Sequence, residues 1–280
     1  MVKVSIITTA FNAAATIRDC LESVQGQTYA DVEHIVVDAA SEDGTLAILD
    51  QYKKSLAKVV SEPDRGIYDG MNKGLGLATG EVVGILNADD MYFNHDVLGK
   101  VARVFEEKRV ESCYGNLVYV KDMVGAAGDG SAPLRLSGGR QSAVHQRNRQ
   151  EEDFRVVRYW RSGAFAAWKF YWGWMPPHPT FFVRREVYER YGGFNLDLGT
   201  AADYELMLRL LLRHRISTAY LPEILIRMRS GGASNATLAR RLQANRMDKK
   251  AWEVNGLKPY PWTMLLKPLR KVGQWFARPY

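Results

Sequence analysis

The sequence predicts an α/β fold with a mainly parallel β-sheet flanked by helices. In roughly the first ninety residues, short runs of β-branched and apolar residues alternate with stretches whose apolar residues recur at helical spacing. Such alternation is typical of parallel sheets. In addition, Asp38 and Asp89 each stand directly after a predicted strand. Because ligands of these sheets bind beyond the carboxyl ends of the strands, both side chains are candidates for a binding site.

The predicted strands are short, apolar and rich in β-branched residues, as buried strands are. They cover residues 2–9, 34–38, 59–61, 82–86, 114–121, 180–183, 217–221 and 223–228. Apolar residues at helical spacing predict helices after Asn12, which we expect to cap the first of them, after Thr45, over Tyr68–Leu77 and over Tyr204–Leu212. Strand and helix therefore alternate from the start of the chain to residue 86.

Two regions differ in character from this pattern. Residues 125–155 are rich in Gly, Ser, Arg and Gln and lack apolar periodicity, which predicts a long loop. This loop is either a disordered insertion or a lid over a substrate. From residue 239 to the end, the chain is predicted to be helical and basic. Pro268 would interrupt a continuous helix, so the last helical piece is expected to begin there.

Composition and charge indicate the kind of partner and the cell compartment to expect for this protein. The chain has 280 residues and a net charge of +7, and between residues 240 and 280 ten lysines and arginines face two carboxylates. The basic tail predicts an anionic partner. No recognition motif for nucleic acid accompanies this charge. The two cysteines, the absence of a signal-peptide pattern and the absence of a long apolar run lead us to expect a cytoplasmic protein.

The run Asn87-Ala88-Asp89-Asp90 follows an apolar strand and is a candidate metal site. Carboxylate oxygens suit hard cations such as Mg²⁺ or Mn²⁺, which also bridge phosphate oxygens. Such a cation would neutralise the charge that develops on a leaving diphosphate. Adjacent aspartates also occur in plain turns, so the run alone does not decide the matter.

Three further segments have both a functional and a structural interpretation. Asp38 is either an acceptor for a base or ribose, or a carboxylate that caps a strand end. Asp64 and Lys73 lie near the same predicted sheet edge, and Lys73 would pair with phosphate unless it is a solvated helix residue. Asp203 opens a helix and is either a general base or an N-terminal cap, and its position alone favours the cap.

Taken together and in order, these segments resemble the family 2 glycosyltransferases that have the GT-A fold. The resemblance covers about residues 2–235 except the loop, and it looks closest to bacterial enzymes that build O-antigen, colanic acid and similar surface polysaccharides. The segments that carry it are Val4 to Asn12, Gln27-Thr28-Tyr29, the Asp38 segment, Glu62 to Gly74, Asn87 to Asp90, Gly173 to Thr180, Gly192-Gly193-Phe194, the Asp203 helix and Gly231 to Ser234.

The resemblance implies a division of the chain and a reaction. Residues 1–124 would be the half that binds a nucleotide-sugar, residues 156–238 the acceptor and catalytic half of the same domain, and residues 239–280 the basic helical tail. The reaction would be direct displacement with inversion, in which an acceptor hydroxyl attacks the anomeric carbon as the nucleoside diphosphate leaves. UDP is the first expectation for the nucleotide, with GDP and dTDP as alternatives.

The resemblance also implies roles for individual residues. Asp89 matches the second aspartate of the family's Asp-x-Asp motif and would bind Mn²⁺ or Mg²⁺ beside Asp90, although this chain has Asn87 where many members have the first aspartate. Asp203 matches the catalytic base, and His178 would border the acceptor. The nucleotide pocket would be lined by Thr9, Phe11, Asp38 and Asp64, with Lys73 nearby.

Many relatives of this type extend a lipid-linked glycan, which makes such a glycan the expected acceptor. The apolar residues of the tail are predicted to share one helical face, namely Trp262, Leu265, Leu266, Leu269, Val272, Trp275 and Phe276. The polar residues are predicted on the other face, namely Lys267, Arg270, Lys271 and Gln274. Residues 262–280 would then lie on the inner face of the cell membrane. The alternative is that this segment packs on the protein itself or on a second subunit.

Two other functions are alternatives to the glycosyltransferase. A nucleotidyltransferase acting on sugar phosphates would need a glycine-rich loop with arginine after the first strand, where this chain has Thr9-Ala10-Phe11-Asn12. A non-catalytic protein that kept a nucleotide pocket is the other alternative. The presence of both Asp89 and Asp203 counts against it.

Overall fold

The structure is a computed structural model that describes residues 1–122, 154–230, 238–270 and Gln274. The strands of this part form one sheet in the order β3-β2-β1-β4-β8-β6-β9-β5, with β7 paired to β6. They are β1 Val4–Ala10, β2 Val32–Asp38, β3 Lys58–Ser61, β4 Val82–Ile85, β5 Asp90–Tyr92, β6 Ser112–Asp122, β7 Phe154–Trp160, β8 Phe182–Arg184 and β9 Thr218–Arg229.

Helices lie between these strands and after them. They are α1 Ile17–Gln25, α2 Thr45–Tyr52, α3 Ile67–Leu77, α4 Val97–Lys108, α5 Trp168–Tyr171, α6 Arg185–Tyr191, α7 Ala202–Met207, α8 Leu238–Val254 and α9 Thr263–Leu269. Short 3₁₀ turns cover His178–Thr180 and Leu196–Ala201, and a π-helical stretch covers Leu208–Arg213.

Strand β1 lies at the centre of the parallel part of the sheet, and every one of its residues is buried. It pairs in parallel with β2 and with β4, so Ile7 stands between Ile35 and Ile85. Successive side chains of a strand point to opposite faces of the sheet. Ile6 packs with residues of α1 and α4, whereas Ile7 packs with residues of α3 and α7. Helices therefore cover both faces, and the predicted α/β fold with a mainly parallel sheet is confirmed.

The far half of the sheet is mixed. Strand β8 runs antiparallel to both β4 and β6, and β9 runs parallel to β6. The prediction of strand 180–183 is wrong at its start, because Thr180 closes a 3₁₀ turn and β8 begins at Phe182. The two late strands predicted on either side of Pro222 are one strand, β9. Its pairing with β6 shifts register there, so the proline sits where a ladder hydrogen bond is not required.

Asn12 does not cap α1, contrary to the prediction. The helix begins after Thr16, and Asn12 has a left-handed backbone with φ of 47°. Its side-chain oxygen instead accepts a hydrogen bond of 2.9 Å from the backbone N–H of Glu42. Asn12 therefore links the loop after β1 to the loop after β2, and both loops lie at the carboxyl edge of the sheet.

The tail is helical as predicted, but its last helical piece does not begin at the predicted residue. Helix α9 begins at Thr263 and contains Pro268, so the last helical piece does not start at that proline. Leu265 and Leu269 are 67% and 61% exposed, whereas the Lys267 side chain is 17% exposed and pairs with Asp248. Leu265 and Leu269 therefore do not pack on the protein itself, whereas Lys267, which was predicted on the opposite face, does. The predicted contributions of Lys271, Val272, Trp275 and Phe276 lie outside the described residues.

The predicted loop 125–155 falls almost entirely outside the described residues, and its last two positions begin β7. Within the part of the chain that the structure covers, no helix combines the length and the hydrophobicity needed to cross a membrane.

Candidate active site

The candidate site lies where β1 and β4 end. The chain after β4 continues along β1, because the N–H of Leu86 bonds to the carbonyl of Ile7 and the N–H of Ala88 bonds to the carbonyl of Thr9. Thr9 is buried, and its hydroxyl oxygen has no hydrogen-bond partner. Phe11, two residues further on, is 66% exposed. An unpartnered hydroxyl and an open aromatic face at one strand end suit a polar, ring-containing ligand.

Asp38 ends β2 and is completely buried. One of its oxygens accepts hydrogen bonds from the N–H of Ser41 at 2.9 Å and from the hydroxyl of Ser61 at 2.7 Å. The other accepts from the Ser41 hydroxyl. In this structure the carboxylate therefore fixes the loop that follows β2. A direct contact with a nucleotide stays a prediction.

Gly70, in the first half of α3, brings two predicted pocket residues together. A Cβ atom at this position would lie 3.1 Å from the Thr9 methyl carbon and 3.2 Å from a carboxylate oxygen of Asp64. Asp64 also accepts a hydrogen bond of 2.8 Å from the N–H of Gly66, just before the helix starts. The absence of a side chain at residue 70 thus lets α3 approach β1 and the Asp64 loop at once.

Lys73 does not point freely toward the predicted phosphate position. Its ammonium group donates to the carbonyl of Pro63 at 2.8 Å and pairs with Glu62 at 2.8 Å. The hydrogen bond to Glu62 raises the pKa of Lys73 above its ordinary value. Lys73 therefore holds the segment that carries Asp64, and its contact with phosphate stays a prediction.

The two aspartates of the Asn87–Asp90 run have different environments. Asp89 is partly exposed, and no hydrogen bond from another described residue reaches its carboxylate. Asp90 is completely buried and accepts a bond of 3.2 Å from the side-chain amide of Asn87. Burial, with a smaller contribution from Asp89, raises the pKa of Asp90 well above its ordinary value, while Arg229 acts in the opposite direction. Asp89 is thus the carboxylate available to a ligand.

The oxygens of this run fit a hard divalent cation. Besides the open carboxylate of Asp89, the side-chain oxygen of Asn87 and one oxygen of Asp90 are buried without a partner. In the described residues, no three His, Cys, Asp or Glu side chains converge on one point. A cation held by one or two protein oxygens takes its remaining ligands from water and from substrate phosphates, which is how Mg²⁺ commonly binds.

Asp203 lies in the first turn of α7 but is not its N-cap residue, because the helix is capped by Ala201. Its carboxylate acts on two side chains from other parts of the chain. It lies near the hydroxyl of Tyr68, whose pKa is raised by burial and by the negative charge of Asp203. It also opposes the effect of burial on His178, whose pKa is nevertheless lowered, so that imidazole is neutral at pH 7.

Phe194 packs against both Tyr68 and His178, the two side chains near Asp203. Its ring centroid lies 5.3 Å from that of Tyr68 and 5.4 Å from that of His178. Its backbone is fixed by Asn72, whose side chain donates to the Phe194 carbonyl at 2.9 Å and accepts from the Phe194 N–H at 2.8 Å. Helix α3 therefore reaches from Gly70, beside Thr9, to the loop before Asp203, and one edge of the sheet carries both candidate sites.

Sequence reasoning missed Tyr68, Asn72 and Phe194 as members of this site. Tyr68 and Asn72 stand in the segment that follows Asp64, and Phe194 follows a pair of glycines, so all three lay in segments already singled out. Their contacts join residues more than a hundred positions apart. Spacing along the sequence carries no signal for such contacts.

Comparison with known proteins identifies the chain. Residues 5–192 match the family model described as glycosyl transferase family 2. The chain belongs to glycosyltransferase family 2. This confirms the resemblance of the motifs to family 2 glycosyltransferases, and the protein is a glycosyltransferase.

Curated relatives of this glycosyltransferase include proteins of mycobacteria. It is 28% identical over 236 residues to a PGL/p-HBAD biosynthesis glycosyltransferase of Mycobacterium bovis, a match that covers 82% of this chain and 78% of the relative. It is 30% identical over 211 residues to an uncharacterized glycosyltransferase of Mycobacterium tuberculosis, covering 75% of this chain and 69% of that one.

Solved structures confirm the GT-A fold. Residues 1–349 of S. aureus TarS, in complex with UDP-GlcNAc, superpose with a TM-score of 0.65 at 18% identity, covering 94% of this chain and 69% of that one. The mannosyltransferase PcManGT from Pyrobaculum calidifontis, in complex with GDP-Man and Mn²⁺, superposes with a TM-score of 0.60 at 19% identity, covering 100% and 76%.

Proposed function

We propose that this glycosyltransferase moves a sugar, with inversion, from a nucleoside-diphosphate sugar to an acceptor hydroxyl, and that UDP is the nucleotide. The observation that carries this proposal is the single sheet edge that holds Thr9, the open carboxylate of Asp89 and the Asp203 group. One edge thereby offers a binding region for a nucleotide diphosphate and a carboxylate base for the acceptor.

Asp203 is the proposed catalytic base. The acceptor oxygen attacks the anomeric carbon on the side opposite the leaving group, and the bond from that carbon to the diphosphate oxygen breaks with its electron pair. The proton of the acceptor hydroxyl passes to the Asp203 carboxylate. Tyr68 lies beside Asp203 and donates to its carboxylate in this proposal, while the neutral His178 borders the acceptor.

The nucleotide occupies the open ends of β1 and β2 in this proposal. Phe11 offers an exposed ring for contact with the base, and the free hydroxyl of Thr9 lies below the same opening. Asp64 is available beside Gly70 for the ribose or base. Asp38 has an indirect role in this proposal. Its carboxylate accepts hydrogen bonds from Ser41 and Ser61 and so positions the loop after β2.

A divalent cation, Mn²⁺ or Mg²⁺, binds at Asp89 in this proposal. When bound, such a cation would supply positive charge beside the leaving diphosphate. Asp89 offers its carboxylate, and Asn87 and Asp90 hold the turn beneath it. A direct metal contact by Asp90 would use its other carboxylate oxygen, which is buried without a partner, while the first stays bonded to Asn87.

The proposed acceptor is a lipid-linked glycan of the kind used in surface polysaccharide synthesis, reached at the inner face of the cell membrane. An exposed aromatic patch supports this assignment. The rings of Trp172 and Trp262 lie 6.1 Å apart, and Arg270 donates to the carbonyl of Trp172 at 3.5 Å. Amphipathic rings beside cations are typical of surfaces that lie in the membrane interface. The patch comprises Trp168, Trp172, Tyr260, Trp262, Leu265 and Leu269.

A panel of nucleotide-sugars tests the proposed reaction. We expect a UDP-sugar to bind and to be slowly hydrolysed in the presence of Mn²⁺, because water replaces the acceptor when no glycan is supplied. Without the metal, hydrolysis should fall. Calorimetry for binding and release of free UDP for hydrolysis are the measurements. Tighter binding of a GDP- or dTDP-sugar would reassign the nucleotide, and binding of none would overturn the proposal.

Vesicle sedimentation tests the membrane surface. The double change Leu265→Ser and Leu269→Ser should weaken binding to anionic phosphatidylglycerol vesicles by about tenfold or more, since a buried leucine side chain contributes about 1.5–3 kcal/mol. The matched control is Leu46→Ser with Val59→Ser, two exposed apolar residues outside the patch. Equal vesicle binding by both double variants would show that the aromatic patch does not face lipid.

A further inference from the structure

Helix α7, which carries Asp203, depends on tertiary contacts for its position. It is six residues long before the π-helical stretch begins, and a helix of this length is not stable by itself. The residues that follow Asp203, Tyr204 and Glu205, are 1% and 3% exposed. The contacts that position the Tyr204 and Glu205 side chains therefore also position the Asp203 carboxylate.

Helices α8 and α9 both contact the Tyr204 side chain. The indole N–H of Trp252, on α8, donates to the Tyr204 hydroxyl at 3.0 Å, and Trp252 is completely buried. The ammonium nitrogen of Lys267, on α9, lies 3.6 Å from the centroid of the Tyr204 ring. A cation over a ring face and a donor at its hydroxyl fix the tyrosine both in tilt and along its axis.

An ion pair joins the two helices that make these contacts. The Lys267 ammonium lies 2.7 Å from a carboxylate oxygen of Asp248, and the two side chains are only 17% and 11% exposed. Helix α9 is also docked closely on the turn after α5, because a Cβ atom at Gly173 would collide with the backbone of Lys267. Lys267 is therefore positioned over the Tyr204 ring by its ion pair with Asp248 and by the close packing of its backbone on Gly173.

The Glu205 side chain is also contacted from the end of helix α8. The side-chain amide of Asn255 donates to a Glu205 carboxylate oxygen at 3.1 Å, and the Arg209 guanidinium donates to that oxygen at 3.0 Å. Asn255 stands at the end of α8, one residue past its last helical position. We name Asp248, Trp252, Asn255 and Lys267 the C-terminal brace.

We propose that the C-terminal brace positions the catalytic base, with Trp252 and Lys267 acting on Asp203 through Tyr204. This proposal rests on the proposed role of Asp203. The brace comes from residues beyond the 5–192 segment that matches the family model, so in this chain the tail completes the catalytic half. Displacement of a reacting group by about 1 Å can cost about a hundredfold in rate, so small shifts of α7 have large effects.

Two variants test the brace. Trp252→Phe keeps an aromatic ring but removes the donor to Tyr204. The double change Asp248→Asn with Lys267→Met removes the ion pair and the cation over the ring without leaving an unbalanced charge. The matched control is Lys249→Met with Glu253→Gln, which removes an exposed ion pair of 3.8 Å on the same helix.

We expect both brace variants to lower kcat by about tenfold or more while KM and Kd for the nucleotide-sugar stay within about twofold. Hydrogen exchange at residues 202–207 should accelerate, while exchange in β1 stays as in the wild type. The control should match the wild type in both measurements. Unchanged kcat in both brace variants would overturn the proposal, as would a parallel loss of nucleotide affinity, which indicates general loosening of the fold.

These outcomes separate the brace from the proposed function. If Asp203→Asn keeps full turnover, the base assignment fails, and the brace loses the residue that it is proposed to position. If Asp203→Asn is inactive while both brace variants turn over as the wild type does, the positioning role alone is wrong.

Discussion

Replacing Asp203 with asparagine is expected to lower kcat for sugar transfer by about 10²- to 10⁴-fold, the usual contribution of a general base. Asparagine keeps the size of the side chain and an oxygen that can accept hydrogen bonds, but it cannot take a proton at neutral pH. The affinity for the nucleotide-sugar should stay unchanged, because Thr9, Phe11 and Asp89 lie on other elements. Initial rates of transfer and calorimetric titration with the nucleotide-sugar measure the two effects.

Asp197→Asn is the matched control for this change. Asp197 is exposed on the turn just before α7, so its replacement removes the same charge close to Asp203 without touching Tyr68 or His178. We expect its kcat to equal that of the wild type. If Asp203→Asn also turns over normally, the carboxylate has only a structural role, as the acceptor for the N–H of Tyr204 in the first turn of the helix.

Replacing Asp89 with alanine is expected to abolish the effect of Mn²⁺ on donor binding and to lower kcat by about a hundredfold or more, since a cation at a leaving diphosphate contributes several kcal/mol. Asp89 is the carboxylate of its run that is open to a ligand. Titration of the nucleotide-sugar with and without Mn²⁺ measures the coupling between metal and donor. In the variant the two titrations should coincide.

Asp90→Asn distinguishes the two aspartates. Its carboxyl is buried, has a raised pKa and is already bonded to Asn87, so a neutral amide of the same shape should keep most of the metal effect. If Asp90→Asn instead loses the Mn²⁺ effect while Asp89→Ala retains it, Asp90 is the ligand and the turn rearranges when metal binds. Thermal unfolding of both variants checks that each remains folded.

The elements predicted with the correct type are those whose local pattern is unambiguous. Strand β1 is an uninterrupted buried run, and helix α3 repeats its apolar residues at helical spacing, so both were predicted to within a few residues. The failures occurred where tertiary contacts outweigh local pattern. Asn12 has the chemistry of a helix cap, but it bonds to the neighbouring loop at Glu42 instead. Pro222 reads as a strand break, yet β9 continues past it because both ends pair with β6.

The candidate site shows the same division. Asp38, Asp89 and Asp203 were found because each stands at the end or start of a regular element, where sequence pattern places ligand-binding side chains. Their environments were not predictable. Asp38 turned out to be fully engaged with serines, Asp89 to be open, and Asp90 to be buried. Each of these outcomes depends on which neighbouring strand or loop packs against the carboxylate.

The sequence by itself determined the α/β class, the family and the order of the three aspartates along one sheet edge, because these depend on local composition and on motifs. Only the tertiary structure decided which side chains meet. Tyr68 reaches Asp203 because α3 crosses the sheet edge, and the basic tail turns Lys267 inward because Asp248 and the Tyr204 ring stabilise its charge there. A helical pattern specifies which residues share a face, but the packing partner decides which face is buried.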